Sequence, residues 1–248
     1  MSENLAGMKT LALDVGGTRL KGGLLDAGGA LVGERARVDT PHPSPPGVIV
    51  EALVGLAGKL AGYDRVSIGF PGVVRDGVVL TAPNLGTREW AGFNLARTME
   101  ERLGVPTRVL NDASVQGLGV IAGRGLECVI TLGTGFGFAL YEDGKLLPHL
   151  EMSQHVAWNK KTYDEYLGNA ALKSVGAAKW QARVQRMIGQ LQAVVMFDML
   201  LIGGGNAKNI AFKLPANVRT VDNDAGVLGG VRLWDANQDA AFKVTRAS

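Results

Sequence analysis

The sequence predicts an α/β protein made of two similar lobes that face a central cleft. Strands in a meander are followed by strands that alternate with helices, and this order occurs twice along the 248 residues. A glycine–threonine turn in the first half returns in the second. We place a small N-terminal lobe at 1–112 and a larger one at 113–224, with a C-terminal helix at 225–248 that packs back on the first lobe.

The first half opens with three strands in an antiparallel meander, written TLALDV, LKGGLLD and ALVGERARV. The segment TPHPSPPG holds four prolines in eight residues and predicts a connector, because proline lacks the N–H that helices and inner strands need. A helix (VIVEALVGLAGKLAG), a buried strand (RVSIGF) and a hairpin turning at Asp76 and Gly77 follow. Next come a helix capped by Asn94 and ended by Gly104, and the strand TRVLND.

The second half repeats this plan. A small-residue helix (ASVQGLGVIAG) precedes LECVITLGTGFGFALYEDGKLL, which predicts strand, glycine turn, strand, tight turn and strand. Helices follow in KTYDEYLGNAALKSVG and KWQARVQRMIGQLQAVVMF, then a strand in DMLLIGGG and a glycine-rich helix in DAGVLGGVRLWDA. Each lobe therefore carries one glycine turn between strands.

Composition narrows the class of protein. Apolar residues make up 46% and charged residues 20%, as in globular proteins, and the 35 glycines are about twice the usual share of roughly 7%. The net charge of +3 is scattered along the chain, which argues against nucleic acid as a partner. The N-terminus lacks a signal-peptide pattern, and no apolar run approaches the length of a membrane helix. We expect a cytoplasmic protein that does not bind membranes.

The only cysteine, Cys128, lies in the apolar run CVITLG. One cysteine excludes disulfides within the chain and cysteine metal clusters, and it indicates a reducing compartment. We expect Cys128 to pack in the core.

The first glycine turn predicts phosphate binding. Gly16, Gly17 and Thr18 offer backbone N–H groups and one hydroxyl that can approach an anion closely. Asp14 beside them would repel phosphate unless a divalent cation lies between, so we interpret Asp14 as a partner of Mg²⁺, directly or through water. A plain hairpin turn with a surface aspartate is the alternative.

A second turn of this design has Gly133, Thr134 and Gly135 at its tip. Two such turns, one per lobe, would clasp a phosphate chain. The spacing fits neither the dinucleotide fingerprint, which needs glycine where Phe138 stands, nor the P-loop. A third glycine element, after the strand DMLLI, consists of Gly203, Gly204 and Gly205.

Phosphoryl transfer also needs a base for the acceptor hydroxyl, ideally a carboxylate at a strand end. The strand TRVLND ends in Asn111 and Asp112, so Asp112 meets this need. A cap for a helix that begins at Ala113 is the alternative role of Asp112. Because the same sequence also carries two predicted phosphate-binding turns, we favour the interpretation of Asp112 as the catalytic base.

These motifs together resemble the ROK family of sugar kinases, which have the actin-like ATPase (ribonuclease H-like) fold, and most of all its polyphosphate glucokinase branch. The resemblance covers nearly the whole chain. The family's two phosphate motifs are matched by LDVGGTRLKGGLLD and TLGTGFGFAL, and the strand and loop after the first motif are matched by IGFPGVV. Its catalytic strand is matched by VLNDA, and its adenosine-side motif is matched by DMLLIGGGNAKN. FPGVVRDGVV and KTYDEYLG favour the polyphosphate glucokinase branch.

The resemblance implies roles for individual residues. Asp112 would be the general base for the 6-hydroxyl of a hexose, while Asn111 and Asn84 would hydrogen-bond other hydroxyls. Glu151 matches the family's sugar-binding glutamate. A second such glutamate is assigned to Glu165, with solvated surface as the alternative.

The chain departs from the family's E-x-x-H pattern after Glu151. Gln154 stands where the family has histidine, and His155 follows one residue later. Glutamine can donate to and accept from a hydroxyl, so it can still bind a sugar, and we expect the departure to bear on which sugar is bound. His155 is either a sugar ligand or an ordinary structural histidine. One cysteine cannot build the zinc loop of many relatives, so no structural zinc is expected.

The resemblance implies a glucokinase with ATP, inorganic polyphosphate or both as donor, Mg²⁺ as cofactor, and a homodimer as its assembly. Closure of the lobes would exclude water as a competing acceptor. Polyphosphate would favour a basic groove leading to the two turns. Candidates for that groove are Arg19, Lys21, Arg75, Arg88 and Arg124.

Two other functions stay open. Family repressors carry a DNA-binding helix-turn-helix in front of the sugar fold, and a first strand near Thr10 leads us to expect no such domain here. A non-catalytic sugar sensor would still fit if Gln154 has cost activity, although Asp112 argues against it. A kinase for mannose or an N-acetylated amino sugar is the other alternative.

Overall fold

The computed structural model describes residues 7–222 and 228–242 and divides into two compact units. Unit 1 comprises Met1–Gly119 with Gly226–Ser248, and unit 2 comprises Val120–Ala225.

Strands and helices are numbered in chain order. The strands are β1 (Thr10–Val15), β2 (Arg19–Leu25), β3 (Leu31–Asp39), β4 (Arg65–Phe70), β5 (Val74–Arg75), β6 (Val78–Val79), β7 (Thr107–Asn111), β8 (Leu126–Leu132), β9 (Phe136–Glu142), β10 (Lys145–Leu146), β11 (Val156–Trp158), β12 (Lys161–Thr162), β13 (Met199–Gly203) and β14 (Val218–Thr220). The helices are α1 (Pro46–Ala57), α2 (Thr87–Trp90), α3 (Leu95–Leu103), α4 (Asp112–Leu118), α5 (Tyr163–Leu167), α6 (Asn169–Val175), α7 (Ala177–Val195) and α8 (Gly229–Arg232).

The main sheet of unit 1 has the strand order β3-β2-β1-β4-β7. β1, β2 and β3 pair antiparallel, which confirms the predicted meander. β4 pairs parallel with β1, and β7 pairs parallel with β4. Because the carboxyl ends of parallel strands meet at one edge, residues that follow β1 and β7 lie at the same edge of the sheet.

Local signals set several boundaries in unit 1. The Asn94 side chain accepts the Arg97 N–H at 2.9 Å and Gly104 has φ +71°, so the predicted cap and end of α3 are confirmed. Asp76 and Gly77 both have positive φ between β5 and β6, which confirms the predicted hairpin turn. The hydrophobic core packs α1 and α3 against the sheet and includes Leu11, Ile49, Leu53, Ile68, Phe70, Trp90 and Met99.

The C-terminal part of the chain returns to unit 1. α8 packs against β1, β4 and α4, where a Cβ at Gly229 would lie only 1.7 Å from the Val115 carbonyl oxygen. The boundary expected at residue 112 falls at the start of α4, whose packing against β4 and α8 places it in unit 1. In place of one helix at 225–248, the described residues form α8 and a 3₁₀ segment at Ala236–Phe242, and the rest of that range lies partly outside them.

Unit 2 repeats the plan with the strand order β10-β9-β8-β13-β14. β8, β9 and β10 form an antiparallel meander, and β13 pairs parallel with β8. α7 buries one face in the core through Trp180, Val184, Met187 and Leu191, all of which are fully or almost fully buried. Cys128 is fully buried in β8, as expected for core packing.

One predicted helix of unit 2 is divided. KTYDEYLGNAALKSVG forms β12, α5 and α6, because Gly168 adopts an extended conformation (φ −62°, ψ 170°) between the two helices. A Cβ at Gly168 would lie 2.7 Å from the Thr134 carbonyl oxygen, so the break brings the chain onto the second glycine turn. None of the helices in residues 7–222 and 228–242 has both the length and the apolar character needed to cross a membrane.

Candidate functional site

Two predicted acids of unit 1 lie on either side of β4 at one sheet edge. Asp14 in β1 is the register partner of Gly69 in β4, and Gly69 is the partner of Leu110 in β7. A Cβ at Gly69 would lie 3.3 Å from the Asp112 Cα atom and 3.7 Å from Asp14 Oδ1. The bare backbone at Gly69 therefore keeps the space between Asp14 and Asp112 open.

Asp14 also forms a cross-strand pair with Lys21. The Lys21 Nζ atom lies 3.3 Å from Asp14 Oδ2, and the two side chains are 61% and 36% exposed. An exposed pair of this kind contributes at most about 1 kcal/mol, so either group can exchange its partner for a ligand at low cost. The pair places one cation and one carboxylate next to the first glycine turn.

The first glycine turn is closed by a hydrogen bond from the Gly16 N–H to the Arg19 carbonyl oxygen at 3.0 Å. A Cβ at Gly17 would lie 3.7 Å from the Asn84 Cβ atom. The structure thus brings the predicted residue Asn84, which is exposed, beside the turn.

Asn111 is the cap of α4. Its Oδ1 atom accepts the Ser114 N–H at 3.2 Å and its Nδ2 atom donates to the Gly72 carbonyl oxygen at 3.2 Å. The capping role considered for Asp112 therefore belongs to Asn111, and α4 begins at Asp112 rather than at Ala113. The half-buried Asp112 accepts the Ala113 N–H at 2.8 Å through Oδ1.

In unit 2 the second glycine turn and the third glycine element lie together. The Gly133 carbonyl oxygen accepts the Asn169 N–H at 2.9 Å and the Asn206 Nδ2 at 3.2 Å. Gly204 has φ +87°, and a Cβ there would lie 2.3 Å from the Leu132 carbonyl oxygen. The end of β13 therefore approaches the end of β8 as closely as backbone allows.

Glu151 is half-buried and held as a carboxylate. Burial alone would raise the pKa of Glu151, but hydrogen bonding and charge from His149, with hydrogen bonds from Ser153, hold this pKa below its ordinary value. The Ser153 hydroxyl donates to Oε1 at 2.5 Å. The His149 Nε2 atom lies 3.5 Å from Glu151 Oε2.

Three further predicted residues lie around Glu151. Gln154 donates from Nε2 to the Ser153 hydroxyl at 3.0 Å and to Asp164 Oδ2 at 3.3 Å. Glu165 forms a capping box, in which its carboxylate accepts the Thr162 N–H at 2.9 Å. His155 is exposed, and its carbonyl oxygen accepts the Tyr163 N–H.

The match to a family model decides the relationship of this chain to known proteins. Residues 10–149 match the ROK family model. The chain belongs to the ROK family. Its α/β architecture is the actin-like ATPase fold of ROK sugar kinases, which confirms the predicted fold class, and the similarities below support a sugar kinase.

Three similarities are informative for this ROK chain. It is 29% identical to the polyphosphate glucokinase of Mycobacterium tuberculosis over 233 residues, which is 88% of each chain. It is 35% identical to the N-acetylmannosamine kinase of Escherichia coli over 147 residues, which is 56% of this chain and 50% of the other. The crystal structure of the inorganic polyphosphate/ATP-glucomannokinase of Arthrobacter sp. strain KM superposes with a TM-score of 0.82 at 28% identity, over 91% of this chain and 97% of that one.

Sequence reasoning missed two residues of this ROK chain. Asp164 accepts the Phe136 N–H at 2.6 Å, so it joins the second glycine turn to Gln154. Burial is the main cause that raises the pKa of Asp164, and the charge of Glu151 adds to it. Both ring nitrogens of His149 are buried, and Nε2 lies 3.5 Å from Glu151 Oε2. A signal for Asp164 is its place inside the T-x-x-E spacing of Thr162 and Glu165, which is typical of a capping box.

Proposed function

We propose that the chain is a hexose kinase that transfers a phosphoryl group from ATP or inorganic polyphosphate to the 6-hydroxyl of glucose. The sheet edge shared by Asp14, the first glycine turn and Asp112 carries the proposal, because the glycine turn follows β1 and a carboxylate follows β7, with only β4 between these two strands. Relatives named polyphosphate glucokinase and polyphosphate/ATP-glucomannokinase support these substrates.

Asp112 is the general base of the proposed reaction. Its carboxylate accepts the proton of the 6-hydroxyl while the hydroxyl oxygen bonds to the terminal phosphorus of the donor. The bond from that phosphorus to its bridging oxygen breaks, and the departing phosphate chain keeps the electron pair. The Asn111 cap and its bond to Gly72 fix the start of α4, which limits the movement of the base.

The glycine elements bind the donor in this proposal. Backbone N–H groups of the first turn and the Thr18 hydroxyl hold phosphate oxygens, and Lys21 adds a positive charge. In unit 2, phosphates contact Gly133, Thr134 and Gly135, and the adenosine side of ATP contacts Gly203, Gly204 and Gly205.

Asp14 would hold Mg²⁺ with the phosphate oxygens of the donor. Among the described residues no cluster of three or more His, Cys, Asp or Glu side chains is arranged for a metal ion. A single exposed carboxylate still fits Mg²⁺, which keeps several waters and is bound by one or two carboxylates and substrate phosphates. When bound, the ion neutralises charge that develops on the phosphates.

Glu151 binds the sugar in this proposal. Its carboxylate accepts hydrogen bonds from hexose hydroxyls, and Gln154 supplies one donor and one acceptor nearby. The capping box of Glu165 favours a structural role for that residue, and the His155 side chain is exposed.

A coupled assay for sugar 6-phosphate tests the proposal. Glucose, mannose, N-acetylglucosamine and N-acetylmannosamine are each combined with ATP and with polyphosphate. We expect turnover of glucose, and we expect Asp112→Asn to lower kcat by about 10²- to 10⁴-fold because it removes the base. Glucose affinity of this variant, measured by calorimetry, should stay near that of wild type.

Asp76→Asn is the matched control, because asparagine tolerates the positive φ of this hairpin position, and its kcat should equal that of wild type. Sugar binding without turnover of any pair would indicate a sensor instead. Preference for an N-acetylated sugar would instead indicate a kinase of the kind named for the second relative, the N-acetylmannosamine kinase of Escherichia coli.

A further inference from the structure

The proline-rich segment at 40–44 lies directly against the first glycine turn. Thr40 follows β3 and donates its N–H to the Thr18 carbonyl oxygen at 3.0 Å, which extends the ladder between β2 and β3 by one pair. This segment, the strap, is the first part of the stretch at 40–47 that was predicted only as a connector.

Two side chains of the strap bind the turn. The Thr40 hydroxyl donates to the Gly16 carbonyl oxygen at 2.6 Å, and His42 Nε2 lies 3.1 Å from the Gly17 carbonyl oxygen. A carbonyl oxygen only accepts, so Nε2 of His42 carries the proton. Together with the Thr40 N–H, the strap holds three successive carbonyl groups of the turn.

These bonds fix the direction of the turn's N–H groups. In a planar trans peptide the carbonyl and the following N–H point in opposite directions. With the carbonyls of Gly16 and Gly17 held by the strap, the N–H groups of Gly17 and Thr18 point away from it. Successive N–H groups presented to one side form an anion-binding concavity.

The strap is itself held in place. The Ser44 hydroxyl donates to the Pro41 carbonyl oxygen at 2.6 Å and lies 3.2 Å from His42 Nδ1. The Trp90 Nε1–H donates to the Ser44 carbonyl oxygen at 2.9 Å, and Trp90 is fully buried. Prolines on both sides of His42 restrict the unfolded chain, so little conformational entropy is lost when the strap is ordered.

We propose that Thr40 and His42 are positioning residues for the phosphoryl donor, acting through the peptide groups of Gly16 and Gly17. The inference rests on the proposed function, since it assigns the first glycine turn to the donor phosphates. Neither side chain contacts the sugar in this proposal. Loss of either side chain therefore weakens binding of the phosphoryl donor and leaves binding of the sugar unchanged.

Thr40→Val and His42→Ala test the inference. Each removes one hydrogen bond to the turn, and we expect the KM of the phosphoryl donor to rise about three- to tenfold while the KM of glucose stays unchanged. Titration calorimetry with inorganic tripolyphosphate should show a matching rise in Kd. Thr40→Ser and His42→Gln keep a donor at each place and should restore wild-type values.

Thr98→Val is the matched control, because its hydroxyl donates to the Asn94 carbonyl oxygen within α3 at 2.8 Å, remote in sequence from the turn. Unchanged donor KM and tripolyphosphate Kd in both variants would overturn the inference, as would equal changes for donor and glucose. If Thr40→Val does not fold, the inference is tested by His42→Ala alone, because the His42 side chain is exposed and its loss should not prevent folding. Wild-type protein that binds tripolyphosphate but phosphorylates no sugar would refute the proposed function and leave the strap's role to the binding measurement.

Discussion

Glu151 and Asp164 are neighbouring carboxylates whose pKa values are shifted in opposite directions. The pKa of Glu151 lies below its ordinary value of 4.5, while burial and the charge of Glu151 raise that of Asp164 above 3.8. Glu151 therefore stabilises the fold above its unfolded pKa, and this contribution is lost as the pH falls through its folded pKa. The contribution of Asp164 to stability depends on pH in the opposite direction. Its folded state holds the proton more tightly than the unfolded state does, so this group favours the fold less as the pH rises.

We expect Glu151→Gln to move the pKa of Asp164 back toward its ordinary value. The substitution removes the like charge, whereas burial remains, so the shift should be reduced and not abolished. Carboxyl carbon chemical shifts followed by NMR against pH measure this directly. The same change at Glu100, on the exposed face of α3 in unit 1, should leave the Asp164 titration unaltered. An unchanged Asp164 titration in Glu151→Gln would show that the two charges do not interact.

At the scale of elements, the approach of β13 to β8 depends on one backbone conformation. We expect Gly204→Ala to lower the free energy of unfolding by about 2 kcal/mol or more, because the new Cβ would contact the Leu132 backbone at a φ of +87°. Urea unfolding measures the loss. Gly205→Ala is the neighbouring control, since nothing lies within 4 Å of its Cβ position, and it should change stability by less than about 0.5 kcal/mol. Equal effects would contradict this account of the strand ends.

Elements with local signals could be predicted from the sequence. The Asn94 cap, Gly104 and the Asp76–Gly77 turn act within a few residues, and each is found where its signal placed it. The division of the helix at Gly168 was missed because it depends on the distant Thr134 carbonyl group.

The candidate site shows the same limit. Alternation and turn residues predicted both glycine turns, since their function depends on bare local backbone. The roles of Thr40 and His42 depend on β3 pairing beside β2, which no local pattern encodes. Asp164 and Glu165 are adjacent, so only their orientation decides which one reaches the turn.

At the scale of the whole molecule, residues from both ends of the sequence complete unit 1. The Ser67 hydroxyl donates to the Gly230 carbonyl oxygen and accepts the Trp234 Nε1–H at 2.8 Å. The guanidinium of Arg108 lies 4.5 Å from the Trp234 ring centre and donates to the Leu233 carbonyl oxygen at 2.9 Å. The C-terminal segment is therefore part of the packing of β4 and β7.

We expect Trp234→Ala to destabilise unit 1 by about 2 kcal/mol, because it removes a large half-buried ring, a hydrogen bond and stacking with Arg108. The urea unfolding midpoint measures this. Trp158→Ala is the control in unit 2, where an exposed ring stacks on Arg186, and it should cost about 0.5–1 kcal/mol. A loss no larger than that of Trp158→Ala would mean that the C-terminal segment adds little to unit 1.

The discontinuity of unit 1 has a consequence for synthesis on the ribosome. Domains usually fold in the order in which they emerge, N-terminal first. Here all of unit 2 has been synthesised while unit 1 still lacks its last segment. That segment is α8, which packs against β1, β4 and α4, with the residues after it. The second unit to be translated is therefore the first that can reach its full set of native contacts, and unit 1 can close its core only after α8 has been synthesised.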